Sequence, residues 1–414
     1  MTLSEKTSNH NFYAFLWHAA FLAFAQSFTD IDTIIPAMLV EAGGGPVHIG
    51  IMSAIMMGGA GLSQLFFAPS LSNRPYKKGP LLIGINSRIF SLFALGMMFF
   101  YTGIFPAKYL LWAIFFFITI FSLGGAFANI SYFDIIGKAI NQNRRLTFFS
   151  TRQATSGIIL LFSSLLAKKT LVLTSFPTNY AMMFLIGGAA LLTASLGFWV
   201  LKEDEATVYK IEGLADFFHV MAKELRENNK LFYFLGLINV QGIAVSFLPF
   251  VILYAKRTFQ TQSGDTGIFL LYKVAGLVIV SLLVLLAAQK IRYKPLLYGN
   301  VALSVSLALI TALAGDTQTV RYIFFLGGII YSLYYITMNG LLLELSAHHN
   351  RAIYTGFLGA GNILPMIFPI VGGWIIRAFG FRPFLLLFAL IVSSSLYFIG
   401  KMMPSSKART GTAD

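Results

Sequence analysis

An all-helical integral membrane protein, with twelve transmembrane helices as two pseudo-symmetric six-helix bundles, is the fold class the sequence predicts. Three observations predict it. The 414 residues are 57% hydrophobic and 11% charged, whereas a soluble globular chain carries about 25% charged residues. The apolar residues gather in twelve stretches of about 20 residues or more, the length a helix needs to cross the hydrocarbon core. A basic phrase also occurs twice, as Asn73-Arg74-Pro75-Tyr76-Lys77-Lys78-Gly79-Pro80-Leu81-Leu82 and as Lys290-Ile291-Arg292-Tyr293-Lys294-Pro295-Leu296-Leu297. Each copy is wedged between two apolar stretches, which makes the halves repeats of one another.

In chain order, the predicted spans of the first half cover 12–40, 47–69, 80–104, 109–140, 147–173 and 180–201. Those of the second half cover 231–255, 265–288, 295–314, 320–345, 353–376 and 383–402. These runs are too long and continuous for the segments of about ten residues that build an outer-membrane barrel. Span one has no convincing cleavage site, so it reads as a retained helix rather than a signal peptide. Further pairs support the repeat: Ile34-Ile35-Pro36 with Phe247-Leu248-Pro249, and Asn143-Arg144 with Asn350-Arg351. The domain reading is a six-helix bundle over 1–201, a linker over 202–230, a second six-helix bundle over 231–403 and a tail over 404–414. Within the linker, Leu214, Phe217, Phe218, Met221 and Leu225 recur at helical spacing and predict an amphipathic helix on the membrane surface.

Most of the 30 lysines and arginines fall in the termini, the linker and the even-numbered loops, among them Arg74, Lys77, Lys78, Lys138, Arg144, Arg145, Arg152 and Arg351. The positive-inside rule then puts both termini and the linker in the cytoplasm. The bilayer accounts for the net charge of +14 better than a nucleic-acid partner does. With no cysteine there is no disulfide framework or thiolate metal site. The histidines lack the H-E-x-x-H zinc spacing, and Gly137-Lys138 and Gly400-Lys401 lack the Ser or Thr that completes a phosphate loop. The expectation is therefore no enzyme, no catalytic residue, no metal and no cofactor.

An ionisable residue inside a span costs at least about 2.5–3.5 kcal/mol at the bilayer centre and marks function by default. Six qualify: Asp30, Asp32, Arg88, Asp134, Lys273 and Glu344. At 1.5 Å per residue, Arg88 lies about 12 Å and Asp134 about 9 Å from the same face, which predicts an ion pair, as a bundle strut or as a gate. Asp30 and Lys273 lie about 12–15 Å from the outer face and belong to different halves. Asp30 shares a helical face with Gln26 and Thr33, whereas Asp32 points roughly 200° away on a continuous helix. Asp30 is thus the candidate proton carrier, with a charge state that depends on whether Lys273 is close, and Asp32 is assigned to packing or the outer rim. Glu344 is placed at the cytoplasmic mouth with Arg351, and with Arg144 or Arg74 as further partners.

The first basic phrase resembles the loop motif G-x-L-x-D-R-x-G-R-K of the major facilitator superfamily. Pro69 stands for the first glycine, Asn73 for the aspartate and Tyr76 for the second glycine, while Arg74, Lys77 and Lys78 match. In that family the aspartate helps lock the halves together on the cytoplasmic side, so Asn73 implies a weaker lock, or one built from Arg74, Asp134, Glu344 and Arg351. Glu344-x6-Arg351 has the E-x6-R spacing of sugar porters, but Gly137 takes the acidic position six residues before Arg144. Phe133-Asp134, Arg152-Gln153, Phe176-Pro177-x-Asn179-Tyr180 and Leu343-Glu344 resemble a bacterial branch of the superfamily. The resemblance implies that spans one, four, seven and ten line a cavity, here through Gln26, Asn129, Tyr132, Asn239, Gln241, Tyr331, Tyr335 and Asn339. That surface suits an uncharged or amphipathic molecule better than a multiply charged anion. The glycines at 58, 59 and 61 and at 356, 359 and 361 would face each other across the halves.

The functional expectation is a monomeric secondary transporter in the bacterial inner membrane. It would move a small organic solute by alternating access, coupled to protons by symport or antiport. The rival reading is a membrane receptor or sensor that keeps the transporter fold without turnover.

Overall fold

In a bilayer no water bonds exposed amides, so an apolar run closes its hydrogen bonds within a helix. The computed structural model describes residues 5–72, 74–102, 107–203, 214–287, 292–345, 359 and 361–403, and among these it is helical with no strand. The helices begin with α1 (Glu5–Phe28), α2 (Ile34–Glu41), α3 (Pro46–Ser72), α4 (Lys78–Phe100), α5 (Ala107–Ala139), α6 (Gln142–Leu173) and α7 (Thr178–Val200). The amphipathic segment of the linker forms α8 (Leu214–Glu227). Then come α9 (Asn229–Val245), α10 (Leu248–Thr258), α11 (Ser263–Leu286), α12 (Tyr293–Leu313) and α13 (Thr317–Leu345). The series ends with α14 (Leu364–Phe379), α15 (Phe381–Ser393) and α16 (Ser395–Met402). Among the described residues nine helical runs are long and apolar enough to cross a membrane, with α9–α10 and α15–α16 each counted as one run.

Four predicted spans are interrupted among the described residues, the twelfth at Ser394 without a proline and the other three each just before one. A proline in a helix clashes with the carbonyl four residues earlier and donates no hydrogen bond. Pro36 breaks span one between α1 and α2, over residues 29–33. Pro249 does the same at Ser246 and Phe247, and Pro365 at Asn362 and Ile363. Each break satisfies its freed backbone groups locally. The Asp30 carboxylate accepts from the Asp32 amide at 3.0 Å and from the Thr33 hydroxyl at 2.8 Å. Ser246 donates its hydroxyl to the Ile243 carbonyl at 2.8 Å. At the third break, Asn239 Nδ2 donates to the Gly361 carbonyl at 2.7 Å and Asn239 Oδ1 accepts from the Leu364 amide at 2.9 Å.

In the first half of the chain α4 packs on α5 and α7, α1 on α6 and α7, and α3 on α5. In the second, α13 packs on α11 and α12, and α9 on α14 and α16. The halves meet through α3 with α14, α6 with α11 and α2 with α10. The α3–α14 seam depends on two glycines in reciprocal contact with backbone. A Cβ on Gly50 would strike the Pro369 carbonyl, and one on Gly373 would lie 2.5 Å from the Pro46 carbonyl. The glycines expected at this seam divide differently. Gly58 faces Met366 and Gly61 faces the Gly359 carbonyl, but Gly59 turns to Ser122 and Gly361 to Leu235, each within its own half. Gly356 lies outside the described residues.

Candidate functional site

The break in span one delivers two carboxylates to one ammonium. Lys273 Nζ on α11 lies 2.6 Å from Asp30 Oδ2 and 2.5 Å from Asp32 Oδ2. The three side chains are 6%, 15% and 4% exposed, so the cluster is buried. Asp30 and Lys273 are thus brought together across 243 residues of chain. The placing of Asp32 on the opposite face fails, because 100° per residue holds only while the helix is continuous, and residues 29–33 are not helical. Thr33 is fully buried and donates to Asp30. Lys273 also lies 5.5 Å from the centre of the Tyr331 ring, which packs on Tyr335 with ring centres 4.6 Å apart. The cluster therefore joins residues from α11 and α13 to the break that follows α1.

The other expected lining residues separate into two groups. Gln26, Asn129, Tyr335 and Asn339 keep exposed side chains within their helices. Gln241 is fully buried, accepts from Asn300 Nδ2 and donates to Ser395 Oγ, both at 3.0 Å. It ties α9 to α12 and α16 and faces no opening. Asn239 serves the break before α14, as described above. Tyr132 is buried against Phe15 and Phe198. His18 stacks on Phe198 with ring centres 3.8 Å apart, a packed histidine. Among the described residues no cluster of His, Cys, Asp and Glu could hold a metal.

The expected Arg88–Asp134 pair does not form. Asp134 binds Lys138, one turn along its own helix, at 2.8 Å. The Arg88 guanidinium lies over the Phe121 ring, 4.3 Å from its centre. Arg88 lies beside Gly124 and Gly125 on α5, about 14 Å along that helix from Asp134, so the expected match in depth fails and Asp134 takes a nearer partner.

At the end of the molecule where α4 begins and α7 ends, Glu203 organises the basic residues. Its carboxylate accepts from the Lys77 amide at 2.8 and 2.9 Å and from the Lys78 amide at 2.8 Å. Two amides at the start of α4 thereby gain a negative charge, favourable both as hydrogen bonds and against the helix dipole. Lys138 Nζ bridges Glu203 at 3.1 Å to Asp134. Lys78 Nζ donates to the carbonyls of Trp199 and Leu201 at 2.7 and 2.9 Å. Lys77 Nζ donates to the carbonyls of Leu71 and, at 2.5 Å, Arg74. Burial pulls the Lys77 ammonium below the ordinary lysine pKa, opposed by Asp134 and Glu203. Arg74 is exposed, and Arg144 lies over the Phe12 ring. Glu344 is exposed and has no ion-pair partner among the described residues, so its expected pairing with Arg74 or Arg144 is not made. Asn73 and Arg351 lie outside the described residues.

Sequence reasoning missed a third charged cluster, at the opposite end. Glu41 Oε1 accepts from Lys256 Nζ at 2.5 Å, Tyr180 OH at 3.0 Å and Ser263 Oγ at 3.1 Å. Asn179 Nδ2 also donates to Ser263 at 3.1 Å. This cluster joins α2 and α7 to α10 and the start of α11. The signals in the sequence were an acid at the end of span one, a lysine at the end of span seven and the phrase Phe176-Pro177-x-Asn179-Tyr180, which on its own reads only as a mark of the family branch.

The Major Facilitator Superfamily model matches residues 16–360. No curated protein sequence matches the chain. Among solved structures, a mutant form of the nucleoside transporter NupG superposes with a TM-score of 0.69 at 14% identity, covering 95% of this chain and 100% of that one. The D-xylose-proton symporter superposes with a TM-score of 0.66 at 15% identity, covering 96% and 98%. A bacterial homolog of the human lysosomal transporter Spinster, inward-facing and unoccupied, gives 0.65 at 11% identity, covering 99% and 100%. With its apolar helices and a family match over most of its length, the chain belongs to the Major Facilitator Superfamily and is a multi-pass membrane transporter, not an enzyme.

Proposed function

We propose that the protein is a proton-coupled secondary transporter for a small organic solute, working by alternating access between two six-helix bundles. In this reading the twelve predicted spans cross the bacterial inner membrane with both termini in the cytoplasm, and the protein acts as a monomer. The clusters at Glu203 and Glu41 then lie on the cytoplasmic and outer sides. Gln26, Asn129, Tyr335 and Asn339 line the solute path, since exposed amides face water more cheaply than hydrocarbon.

One observation carries the reading: Lys273 of the second half is held between Asp30 and Asp32 of the first. Fully ionised, that cluster has two negative charges and one positive. Its net charge of about −1 is costly in a buried site, and the ion pairs across the halves offset part of that cost. One added proton neutralises the excess and removes most of that cost, so the protonated cluster favours the buried, joined state. Rocking apart and proton release are therefore coupled, with direction set by the gradients. The inter-half contacts of Glu41 close the outer side in the state described here. Gating at the inner side falls to Arg74, Lys77, Lys78, Asp134, Arg144 and Glu344, with Asn73 and Arg351 assigned the same role from the sequence alone.

The test is reconstitution into liposomes with labelled nucleosides, sugars and organic acids, with and without an imposed pH gradient. Uptake that the gradient accelerates, and that Asp30→Asn makes gradient-independent, supports the proposal. Binding with no uptake under any gradient instead identifies a receptor that keeps the transporter fold.

A further inference from the structure

One face of α13 carries aromatic rings away from the charged cluster. Tyr331, Tyr335 and Asn339 stand at i, i+4 and i+8, a spacing that keeps side chains on one helical face. Tyr331 fixes where that face points: its ring centre lies 5.5 Å from Lys273 Nζ, which is itself held by the opposite half. Tyr335 continues the face, with the two ring centres 4.6 Å apart and the planes inclined at 46°. The row runs away from the Glu41 end. Tyr254 on α10 donates to the Ala314 carbonyl just before α13 begins, and Lys256, two residues from Tyr254, binds Glu41. A Cβ on Gly328 would strike the Lys273 carbonyl, so Tyr335 stands about 10 Å beyond the level of Lys273.

Packing does not use this face up. Tyr335 is 43% exposed and Asn339 is exposed, although both stand in a run that crosses the membrane. α13 packs on α9, α10, α11 and α12 of its own half, while the seams between halves run through α3–α14, α6–α11 and α2–α10. The exposed Tyr322 stands half a turn round α13 from Tyr331, at 100° per residue, and so faces the other way. The ionised groups that act on the two rings from other elements are Asp30, Asp32 and Lys273. Together these carry one net negative charge. An aromatic face attracts a cation through its quadrupole, and a net negative charge within about 10 Å adds to that attraction.

We propose that Tyr331 and Tyr335 receive the transported solute as a monovalent organic cation with a planar ring. The ring stacks on Tyr335 and the cationic group turns toward Asp30 and Asp32. The proposal rests on the transporter reading above and narrows its solute class. A neutral solute gains the stacking alone, and an anion meets repulsion from the cluster. The bound cation offsets the same single excess charge that a proton neutralises, so each weakens the binding of the other. Exchange of solute against proton follows, which makes the transport an antiport.

The experiment measures binding of tritium-labelled benzyltrimethylammonium to the purified full-length protein. Benzyl alcohol, tetramethylammonium and benzoate serve as competitors that lack the charge, the ring and the right sign. The expected result is saturable binding that none of the three displaces as well as the unlabelled probe does. Y335A should weaken it roughly tenfold, whereas Y335F keeps the ring and should bind like the parent. Y335L removes the ring at a closer volume and provides the reading if Y335A does not fold. D32N should also weaken binding, and lowering the pH should release the bound cation. Displacement by any of the three competitors as effective as by the probe itself overturns the proposal. So does binding unchanged in Y335A and Y335L, or binding that ignores pH. Proton-coupled uptake of sugars, nucleosides or organic acids with no binding of the cation would leave the transporter reading intact while this proposal fails. Cation binding of the expected profile without uptake would do the reverse.

Discussion

The breaks in spans one and seven are repeats of one device put to different uses. Both follow from a proline in the first turn of the helix that resumes, Pro36 as its third residue and Pro249 as its second. The first leaves five residues out of helix and fills them with Thr29, Asp30, Ile31, Asp32 and Thr33. The second closes within Ser246 and Phe247. Phe247 is fully buried between Phe384 and Phe388, with ring centres 5.9 and 4.3 Å away. One break presents charge to the opposite half; the other packs a ring within its own half. Internal repetition therefore preserves backbone geometry while chemistry concentrates on one copy.

The largest effect should come from the charged break. Lys273→Gln strands two buried carboxylates, and removing one member of a buried ion cluster costs about 3–5 kcal/mol. The variant should melt well below the parent in detergent and show no uptake, and Asp32→Asn in the same chain should restore part of the stability. Phe247→Ala tests the other break. It should cost about 3 kcal/mol or more through the cavity it leaves, while uptake per folded molecule stays near the parent's. Asn239→Ala removes both partners of the break before α14 and should cost about 1–3 kcal/mol, measured by the same melting assay. The smallest effects belong to the prolines. Pro36→Ala and Pro249→Ala should each change stability by about 1 kcal/mol or less. Only Pro36→Ala should alter the pH dependence of uptake, and equal changes in both would erase the distinction between the breaks.

Much of this was legible in the residues. The apolar runs show the helices because bilayer length and backbone satisfaction leave few alternatives. Matched depth brought Asp30 and Lys273 together correctly, since rise per residue is nearly constant along a helix. Rotation and breaks were harder to see. Ile34-Ile35-Pro36 was recognised as half of a repeat, yet treating the span as continuous sent Asp32 to the wrong face. Arg88 was paired with Asp134 because depth was counted from the ends of the apolar runs, whereas α4 and α5 are offset so that Arg88 meets Gly125; Lys138 stood one turn from Asp134 all along. Gln241 looked like cavity lining on a cavity helix until Asn300 and Ser395 proved to bury it. Glu41 and Glu203 escaped notice at the ends of spans, where a charge ordinarily faces water and only tertiary contact shows otherwise.

The central claim is that proton release from the Asp30–Lys273–Asp32 cluster loosens the junction between halves. The chain has no cysteine, so spin labels can be placed at Tyr101→Cys and Thr258→Cys alone. The first site ends α4 and the second ends α10, and both are exposed. Pulsed electron–electron double resonance between them reads the separation of the halves at the Glu41 end. As the pH is raised the account predicts a shift toward longer distances, and no shift when Asp30→Asn and Asp32→Asn are combined. A distribution that ignores pH in the parent, or one that responds equally in the double variant, would contradict it.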